Sequence, residues 1–204
     1  TPISNEFVQT TVVADRAVPL NADEWNLRST PVVLEGGAFW SVDGIDAVLR
    51  WNSATQSWEK VTDNSMEPLD ALWMHATEDT NIGYLFEDGL SEPPTRQLNE
   101  QWNLVGTAID LDTDSMDVGE AFSAAIYSEG NRALEVVVSP FQQSIEWFWQ
   151  DSFVWIPQIT EAGADPTNSG YQTVYNFGGY WIFMENEALL PGFTTTPLVI
   201  NGDD

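Results

Sequence analysis

The chain has no cysteine and a single histidine, His75, among its 204 residues. Without cysteine there are no disulfides, no thiolate metal ligands and no cysteine nucleophile. Zinc hydrolases and Cys-His enzymes need a thiol or further histidines, so the composition excludes both classes. Gly-x-Ser-x-Gly and phosphate-binding glycine motifs are also missing from the sequence. We interpret His75, two residues after Trp73, as a packed or surface residue of a strand.

Basic residues are also scarce, because six Lys and Arg stand against 32 Asp and Glu, a formal net charge of −26. Six dispersed cations cannot form the basic face that binds a nucleic-acid backbone, so nucleic acid is excluded as a partner. Such a surface repels itself at ~0.15 M salt, where the Debye length is ~8 Å, and is tolerated at molar salt, where it is ~3 Å. We therefore predict a high-salt environment and reversible unfolding when NaCl falls below molar levels.

Long apolar runs are missing too, and none approaches the ~18 residues of a membrane span. The apolar material is instead spread along the chain: 43% of residues are hydrophobic, including ten Trp, ten Phe and five Tyr. Disordered acidic chains are poor in aromatics, so the composition predicts a folded protein with one large or two small cores. The chain starts at Thr1 without a visible signal peptide, which suits a processed or excised segment.

An internal repeat organises the sequence. Residues 20–27 and 98–104 share a Leu-Asn…Trp-Asn-Leu pattern, and residues 72–79 match 180–187 around a common tryptophan. Between these anchors, residues 48–51 match 152–155. The division that follows is a leading strand segment (1–19), a first repeat module (20–97), a second module with an insertion (98–193) and a C-terminal tether (194–204).

Most of the matched segments have the β-branched and aromatic composition of strands. One helix is predicted over Asp117–Ile126 with Ser115 as its N-cap, because its apolar residues fall on one face. The predicted fold is mainly β, with two related β-rich modules, sandwich or barrel-like, and one short helix.

These motifs resemble a repeat module of secreted and cell-surface proteins of bacteria and archaea, in which a Trp-Asn-Leu opening leads to a short helix, an aromatic hairpin and a Gly-Tyr-Trp strand. Residues 102–106 and 179–182 fit it in the second copy, and residues 25–27 fit it in the first, where Arg28 replaces an aliphatic residue and Gly-Tyr is lacking before Trp73. The resemblance covers roughly residues 20–193. It implies a β-rich extracellular module without an activity of its own. With the acidic composition, it implies a surface protein of a halophilic archaeon or a virion protein of one of its viruses.

The candidate metal site is the acidic stretch of Asp110, Asp112 and Asp114. On a strand these alternate carboxylates share one face and offer oxygen ligands to Ca²⁺. The stretch is not an EF-hand loop, since Ser115 stands where glycine is needed and Ala121 where a bidentate glutamate is needed. The alternative is a solvated acidic strand edge that leads to the helix.

The candidate binding residues are Trp147, Phe148 and Trp149 in the insertion of the second module. On a strand Trp147 and Trp149 share one face, from which they would stack on sugar rings or anchor a partner protein. The alternative is that they fill the second core. The repeated tryptophans are predicted to be core residues: Trp25, Trp73, Trp102 and Trp181.

The sequence predicts no catalytic residue and no cofactor other than Ca²⁺. The predicted function is a non-catalytic structural or adhesive module at the surface of a halophile or in a virion, with other surface or virion proteins or further copies of itself as partners. A carbohydrate-binding module that uses a tryptophan face is the alternative. An acid-pair glycoside hydrolase comes third, because carboxylate pairs are inevitable among 32 acids and carry little information.

Overall fold

A computed structural model describes residues 14–41, 43–90, 92–128, 131–138 and 173–192. The predicted mainly β fold is confirmed: several antiparallel sheets are accompanied by two short helices. The described part of the chain is sandwich-like, and no barrel closes within it. No helix within these ranges is long and apolar enough to cross a membrane.

The first unit contains seven strands in two sheets, with strand orders β2-β6-β4-β5 and β1-β7-β3. Its elements are β1 (Arg16–Leu20), β2 (Glu24–Ser29), a 3-10 turn (Glu35–Gly37), β3 (Trp40–Ser41), β4 (Ile45–Asn52), β5 (Ser57–Lys60), β6 (Ala71–Ala76) and β7 (Thr80–Tyr84).

The second unit has a central sheet of order β13-β15-β9 and three two-stranded pairs, β8 with β16, β10 with β14 and β11 with β12. Its elements are β8 (Thr95–Leu98), β9 (Gln101–Gly106), β10 (Ser115–Asp117), α1 (Val118–Ala121), α2 (Ser123–Ile126), β11 (Tyr127–Ser128), β12 (Asn131–Arg132), β13 (Leu134–Val138), β14 (Thr173–Tyr175), β15 (Gly179–Met184) and β16 (Ala188–Pro191).

The two units repeat the same strand pairing at the same register. Leu27 of β2 lies opposite Trp73 of β6, and Leu104 of β9 lies opposite Trp181 of β15. The outer strands agree as well, since β1 pairs with β7 and β8 pairs with β16, both antiparallel. The repeated motifs of the sequence therefore occupy equivalent places, and strand pairing groups β1 with the first unit and β8 with the second.

The third strand of each central sheet carries the same irregularity. β4 shifts register against β6 between Ile45 and Ala47, and β13 shifts against β15 between Leu134 and Val136. A bulge of this kind places an extra residue on one strand and bends it. β13 is thus the counterpart of β4. The sequence match assigned that position to residues 152–155, which lie outside the described residues.

An asparagine side chain closes the first turn of each unit. Asn26 accepts a hydrogen bond from the backbone N–H of Asn21 (2.9 Å) and donates to the carbonyl of Asn21 and to one further carbonyl. Asn103 makes the same three bonds around Asn99, where its oxygen accepts at 3.0 Å. Both amides are buried. Because a buried amide must be hydrogen-bonded, the repeated asparagine is explained by turn closure.

The predicted helix forms as two four-residue pieces, α1 and α2, separated at Phe122. Its N-cap is Asp117, whose side chain accepts hydrogen bonds from the backbone N–H groups of Gly119 and Glu120. The prediction of Ser115 as N-cap is wrong, since Ser115 lies in β10 and pairs with β14. An aspartate that satisfies two otherwise unpaired N–H groups fixes where the helix begins.

Each unit inserts a buried residue into the core of the other. Leu69, two residues before β6, packs in the core of the second unit, and Phe177, two residues before β15, packs in the core of the first. Both have a left-handed backbone, with φ of 60° and 59°. Backbone hydrogen bonds repeat the exchange, from the N–H of Gly106 to the carbonyl of Leu69 (2.9 Å) and from the N–H of Ser29 to the carbonyl of Phe177 (3.0 Å).

A small third core lies between the two central sheets. At Gly179 an added Cβ would lie 2.5 Å from the Leu27 Cγ and 2.7 Å from the Ala71 Cβ, so the sheets approach closely only because this residue is glycine. The cluster pairs equivalent residues of the two units: Leu27 with Leu104 and Trp73 with Trp181, beside Ala71 and Trp51.

Candidate functional site

Five aromatic rings from both units form a continuous row where the central sheets meet. The Trp181 ring lies 5.2 Å from Trp51 and 5.7 Å from Trp58, both on the β4–β5 hairpin, and 6.2 Å from Trp102. The Trp102 ring lies 5.2 Å from Phe183. All these contacts are edge-to-face, the arrangement that the charge distribution of aromatic rings favours. We call these five residues the aromatic row.

Two tryptophans of the sheet β2-β6-β4-β5 face solvent. Trp58 in the row is 46% exposed, and Trp25, the counterpart of Trp102, is 45% exposed. The Trp25 ring lies 5.3 Å from His75, whose Nδ1 is 2.7 Å from a carboxylate oxygen of Asp46. The prediction that Trp25 is a core residue is wrong, because nearly half of its surface faces solvent, whereas Trp51 and Gln56 of the β4–β5 hairpin donate hydrogen bonds to the carbonyl of Trp102. The other repeated tryptophans are half-buried: Trp73, Trp102 and Trp181.

Two clefts lie at equivalent places between the units. One, of about 550 Å³, lies between β8 and the turn at residues 67–70. The other, of about 350 Å³, lies between β1 and the turn at residues 175–178. Four of the six cations of the chain line these clefts, Arg50 and Arg96 in the first and Arg16 and Arg28 in the second. We call the first the paired cleft and the second the cationic cleft.

In the paired cleft a buried carboxylate lies between two arginines. The Asp70 side chain is 2% exposed, with Oδ2 2.5 Å from Arg50 Nε and Oδ1 2.8 Å from Arg96 Nη1. Arg96 Nε is buried without a hydrogen-bond partner among the described residues. Glu59 and Glu67 also line this cleft. Because both oxygens of Asp70 are engaged by arginine, we interpret the triad as a structural charge cluster that joins the units.

The cationic cleft has a different lining, because the position equivalent to Asp70 is Gly178. Its described lining includes two arginines and no acidic residue, next to the rings of Tyr175 and Phe177. The guanidinium carbon of Arg16 lies 5.2 Å from the centre of the Phe177 ring, a cation–π contact. The arginine charges of this cleft are therefore not matched by a carboxylate in its lining.

Burial affects the ionisable groups around the cationic cleft. Desolvation lowers the pKa of Arg28 from its usual value, and it raises the pKa of Tyr180 to about 12. Behind the cleft, Tyr84 packs on Phe177 at 5.7 Å, and desolvation raises its pKa well above the usual range. The Tyr84 hydroxyl has no hydrogen-bond partner among the described residues. Both tyrosines are therefore neutral at ordinary pH, and arginine supplies the charge of the cleft.

The candidate calcium ligands lie in a turn and not in a strand. The backbone N–H of Asp112 donates to the Asp110 side chain (2.8 Å), and that of Thr113 donates to the Asp110 carbonyl (3.0 Å). The expectation that a strand places Asp110, Asp112 and Asp114 on one face is therefore wrong. In the described ranges no group of three His, Asp or Glu side chains is arranged to hold a metal ion. Calcium binding by this stretch stays a prediction.

The candidate binding residues Trp147, Phe148 and Trp149 lie outside the described residues, and their role stays a prediction. The sequence reasoning missed the arginines of both clefts and Asp70. The available signal was the scarcity of cations. With six Lys and Arg against 32 acids, each arginine is a candidate for a specific structural or binding role. Comparisons with protein-family models, with curated proteins and with solved structures gave no match to this chain.

Proposed function

We propose that this chain is a non-catalytic structural or adhesive module of a halophile surface or virion, and that it acts through assembly interfaces. The observation that carries the proposal is the exposure of two tryptophans, Trp58 in the aromatic row and Trp25 on β2, on a chain of net charge −26. Exposed aromatic residues on a polar surface are typical of protein contact sites.

The predicted high-salt environment supports the same function. At molar salt the Debye length is ~3 Å, so charges neither steer nor repel partners beyond direct contact. Affinity then comes from apolar and aromatic burial and from charge pairs in direct contact, and salts that are excluded from protein surfaces strengthen the apolar part. An acidic shell with a limited aromatic face therefore suits assembly in brine, as the resemblance to surface-protein repeat modules also implies.

The test is sedimentation equilibrium in 3 M NaCl over a wide range of protein concentration. We expect oligomers of regular size, weakened at least tenfold in association constant by Trp58→Ser or Trp25→Ser. Trp40→Ser is the matched control, because Trp40 is 53% exposed on β3 of another sheet and should have no effect. A protein that stays monomeric at all concentrations, or that loses association equally with Trp40→Ser, contradicts the proposal.

Two further measurements complete the test. Saturable binding to a glycan array, lost on Trp147→Ala and Trp149→Ala, would support the carbohydrate-binding alternative instead.

Thermal unfolding between ~0.1 and 3 M NaCl tests the high-salt environment, because screening predicts a large loss of stability at the low end. Unchanged stability over that range would remove this part of the proposal.

A further inference from the structure

We propose that the cationic cleft is a docking site for an aspartate or glutamate side chain of an acidic protein partner. This inference rests on the proposed function, since it identifies a polar contact of an assembly interface. The site consists of Arg16 and Arg28 with the ring of Tyr175 and the backbone of residues 176–178.

Charge is the first argument. The chain has more than five acidic residues for each basic one, yet the described lining of this cleft contains two arginines and no acid. The nearest described carboxylate to either arginine is Asp114, 4.0 Å from Arg16 Nη2. The Asp114 side chain is 96% exposed, so water and salt screen this pair and it neutralises Arg16 weakly. The cleft therefore offers a positive site on an otherwise acidic surface.

The paired cleft supplies the second argument, because there the chain provides its own carboxylate. Asp70 in the turn at residues 67–70 contacts Arg50 and Arg96, one with each oxygen. The equivalent turn at 175–178 has Gly178 in that position, which leaves the cationic cleft with its arginines and without the carboxylate. The arginines of the two clefts come from different positions, since Arg28 is equivalent to Val105 and Arg96 to Val18, so the comparison concerns charge alone. The ligand that matches this charge by the same chemistry is the side-chain carboxylate of another polypeptide.

The guanidinium geometry fits this ligand. Arg28 donates Nε and Nη2 to the carbonyl of Pro19 and Nη1 to the carbonyl of Leu27. A guanidinium has five N–H groups, so these three bonds leave one N–H on each terminal nitrogen without a partner among the described residues. Two terminal N–H groups held in a fixed plane are the fork that a carboxylate accepts bidentately.

The second arginine is adjustable. The Arg16 side chain is half-exposed, and it is positioned by its contact with the Phe177 ring. It can therefore close on a carboxylate that Arg28 has already bound. A protein partner is favoured over other acids because every neighbouring copy of this chain presents acidic side chains, and because Tyr175, 60% exposed, adds an apolar contact beside the cleft.

The test is a titration of the ¹⁵N-labelled protein, in the salt that keeps it folded, with the peptide acetyl-Ala-Asp-Ala-amide. We expect saturable shifts of the backbone amides of Ala17, Val18 and Gly178, and smaller effects from the matched peptide with Asn. Arg16→Gln should weaken binding about tenfold, the value of one charge-assisted hydrogen bond. Arg28→Lys, which keeps the charge and removes the fork, should weaken it by a similar factor. Lys60→Gln, the exposed cation of β5, should leave it unchanged.

The proposal is overturned if the Asn peptide binds as well as the Asp peptide, or if Arg16→Gln has no effect in a folded protein. It is also overturned if methyl glucuronide shifts the same amides and the Asp peptide does not, because the acid recognised would then be a sugar. Peptide binding in a protein that remains monomeric would support the docking site and contradict the proposed assembly. Assembly without peptide binding would support the proposed assembly and contradict the docking site.

Discussion

The turns at residues 67–70 and 175–178 occupy equivalent places in the two units, and they differ in charge. The first carries Asp70, which neutralises two arginines inside the protein, whereas the second carries Gly178 and faces two arginines that lack such a partner. Both turns place a residue with left-handed backbone, Leu69 or Phe177, in the opposite unit. The packing is thus repeated while the electrostatics is not.

This difference separates the paired cleft, which holds the two units together, from the cationic cleft, which is available to a partner. In the paired cleft the chain neutralises its own arginines, since one oxygen of Asp70 pairs with Arg50 and the other with Arg96. The cationic cleft has arginine charge that is matched only weakly, by exposed Asp114, and it lies beside exposed Tyr175. The two clefts are alike in their place between the units and differ in whether the chain itself supplies the carboxylate.

The largest expected effect is at Asp70. Asp70→Ala should lower the free energy of unfolding by about 3–5 kcal/mol, because it leaves Arg50 and Arg96 without the carboxylate between them. Denaturant unfolding in 3 M NaCl measures this change. The matched control is Asp114→Asn at the cationic cleft, where we expect a change within about 0.5 kcal/mol. Equal effects at the two positions would show that the clefts do not differ as described.

The exchanged residues test the shared packing. Phe177→Ala and Leu69→Ala should each lower the free energy of unfolding by about 2–5 kcal/mol, since both empty a place in a core. Because each residue belongs to one unit and packs in the other, both variants should unfold in one transition, seen equally by tryptophan fluorescence and far-ultraviolet circular dichroism. Two separate transitions in either variant would indicate that the units fold independently.

Alkaline pH tests a third difference, because Tyr180 of β15 has Leu72 as its counterpart in β6. Burial raises the pKa of Tyr180 to about 12, above the value of ~10 in an unfolded chain. Its contribution to stability is therefore complete below pH ~10 and is lost as the pH rises towards 12. Over that window we expect a loss on the order of 2 kcal/mol from this group.

Tyr180→Phe should make the alkaline loss of stability smaller, and unfolding at several pH values between 8 and 12 measures it. The variant also removes the hydrogen bond that the Tyr180 hydroxyl accepts from the backbone N–H of Tyr175 (2.7 Å), so its stability at pH 8 serves as its own reference. If wild type and variant lose stability in parallel above pH 10, Tyr180 does not titrate as described.

The smallest expected effect concerns a feature that the two units share. Asn26→Ala and Asn103→Ala should each cost about 1–2 kcal/mol, because each removes the acceptor for a backbone N–H and two further hydrogen bonds. Thermal unfolding of both variants measures the two changes under one condition. We expect them to agree within about 0.5 kcal/mol, and a larger difference would mean that the two turns are not equivalent in energy.

The sequence predicted the mainly β fold correctly, because aromatic and β-branched segments bounded by polar turns are a local signal. The repeated Trp-Asn-Leu motif predicted the equivalent strands β2 and β9. This signal is local, because the asparagine of each motif forms its hydrogen bonds with backbone groups no more than five residues away. The N-cap was misplaced by two residues, since Ser115 and Asp117 are both good caps and the pairing of β10 with β14 decides between them.

The candidate sites were harder to predict, because they depend on contacts between distant segments. Asp70 lies 20 residues from Arg50 and 26 from Arg96, and no local pattern relates the three. Arg16 and Arg28 meet residues 175–178 across the unit boundary in the same way. The alternating aspartates at 110–114 suggested a strand. Instead, the Asp110 side chain accepts a hydrogen bond from the backbone N–H of Asp112, and this local bond stabilises a turn.

The sequence by itself determined the class of fold and the duplication, since residue composition and repeated motifs are properties of the chain alone, and its charge balance predicts a high-salt environment. Only the tertiary structure decided that the two units exchange Leu69 and Phe177, that Trp25 faces solvent while Trp102 joins the aromatic row, and that one of two equivalent clefts contains its own carboxylate. The physical reason is that burial and charge pairing depend on which distant segments come together.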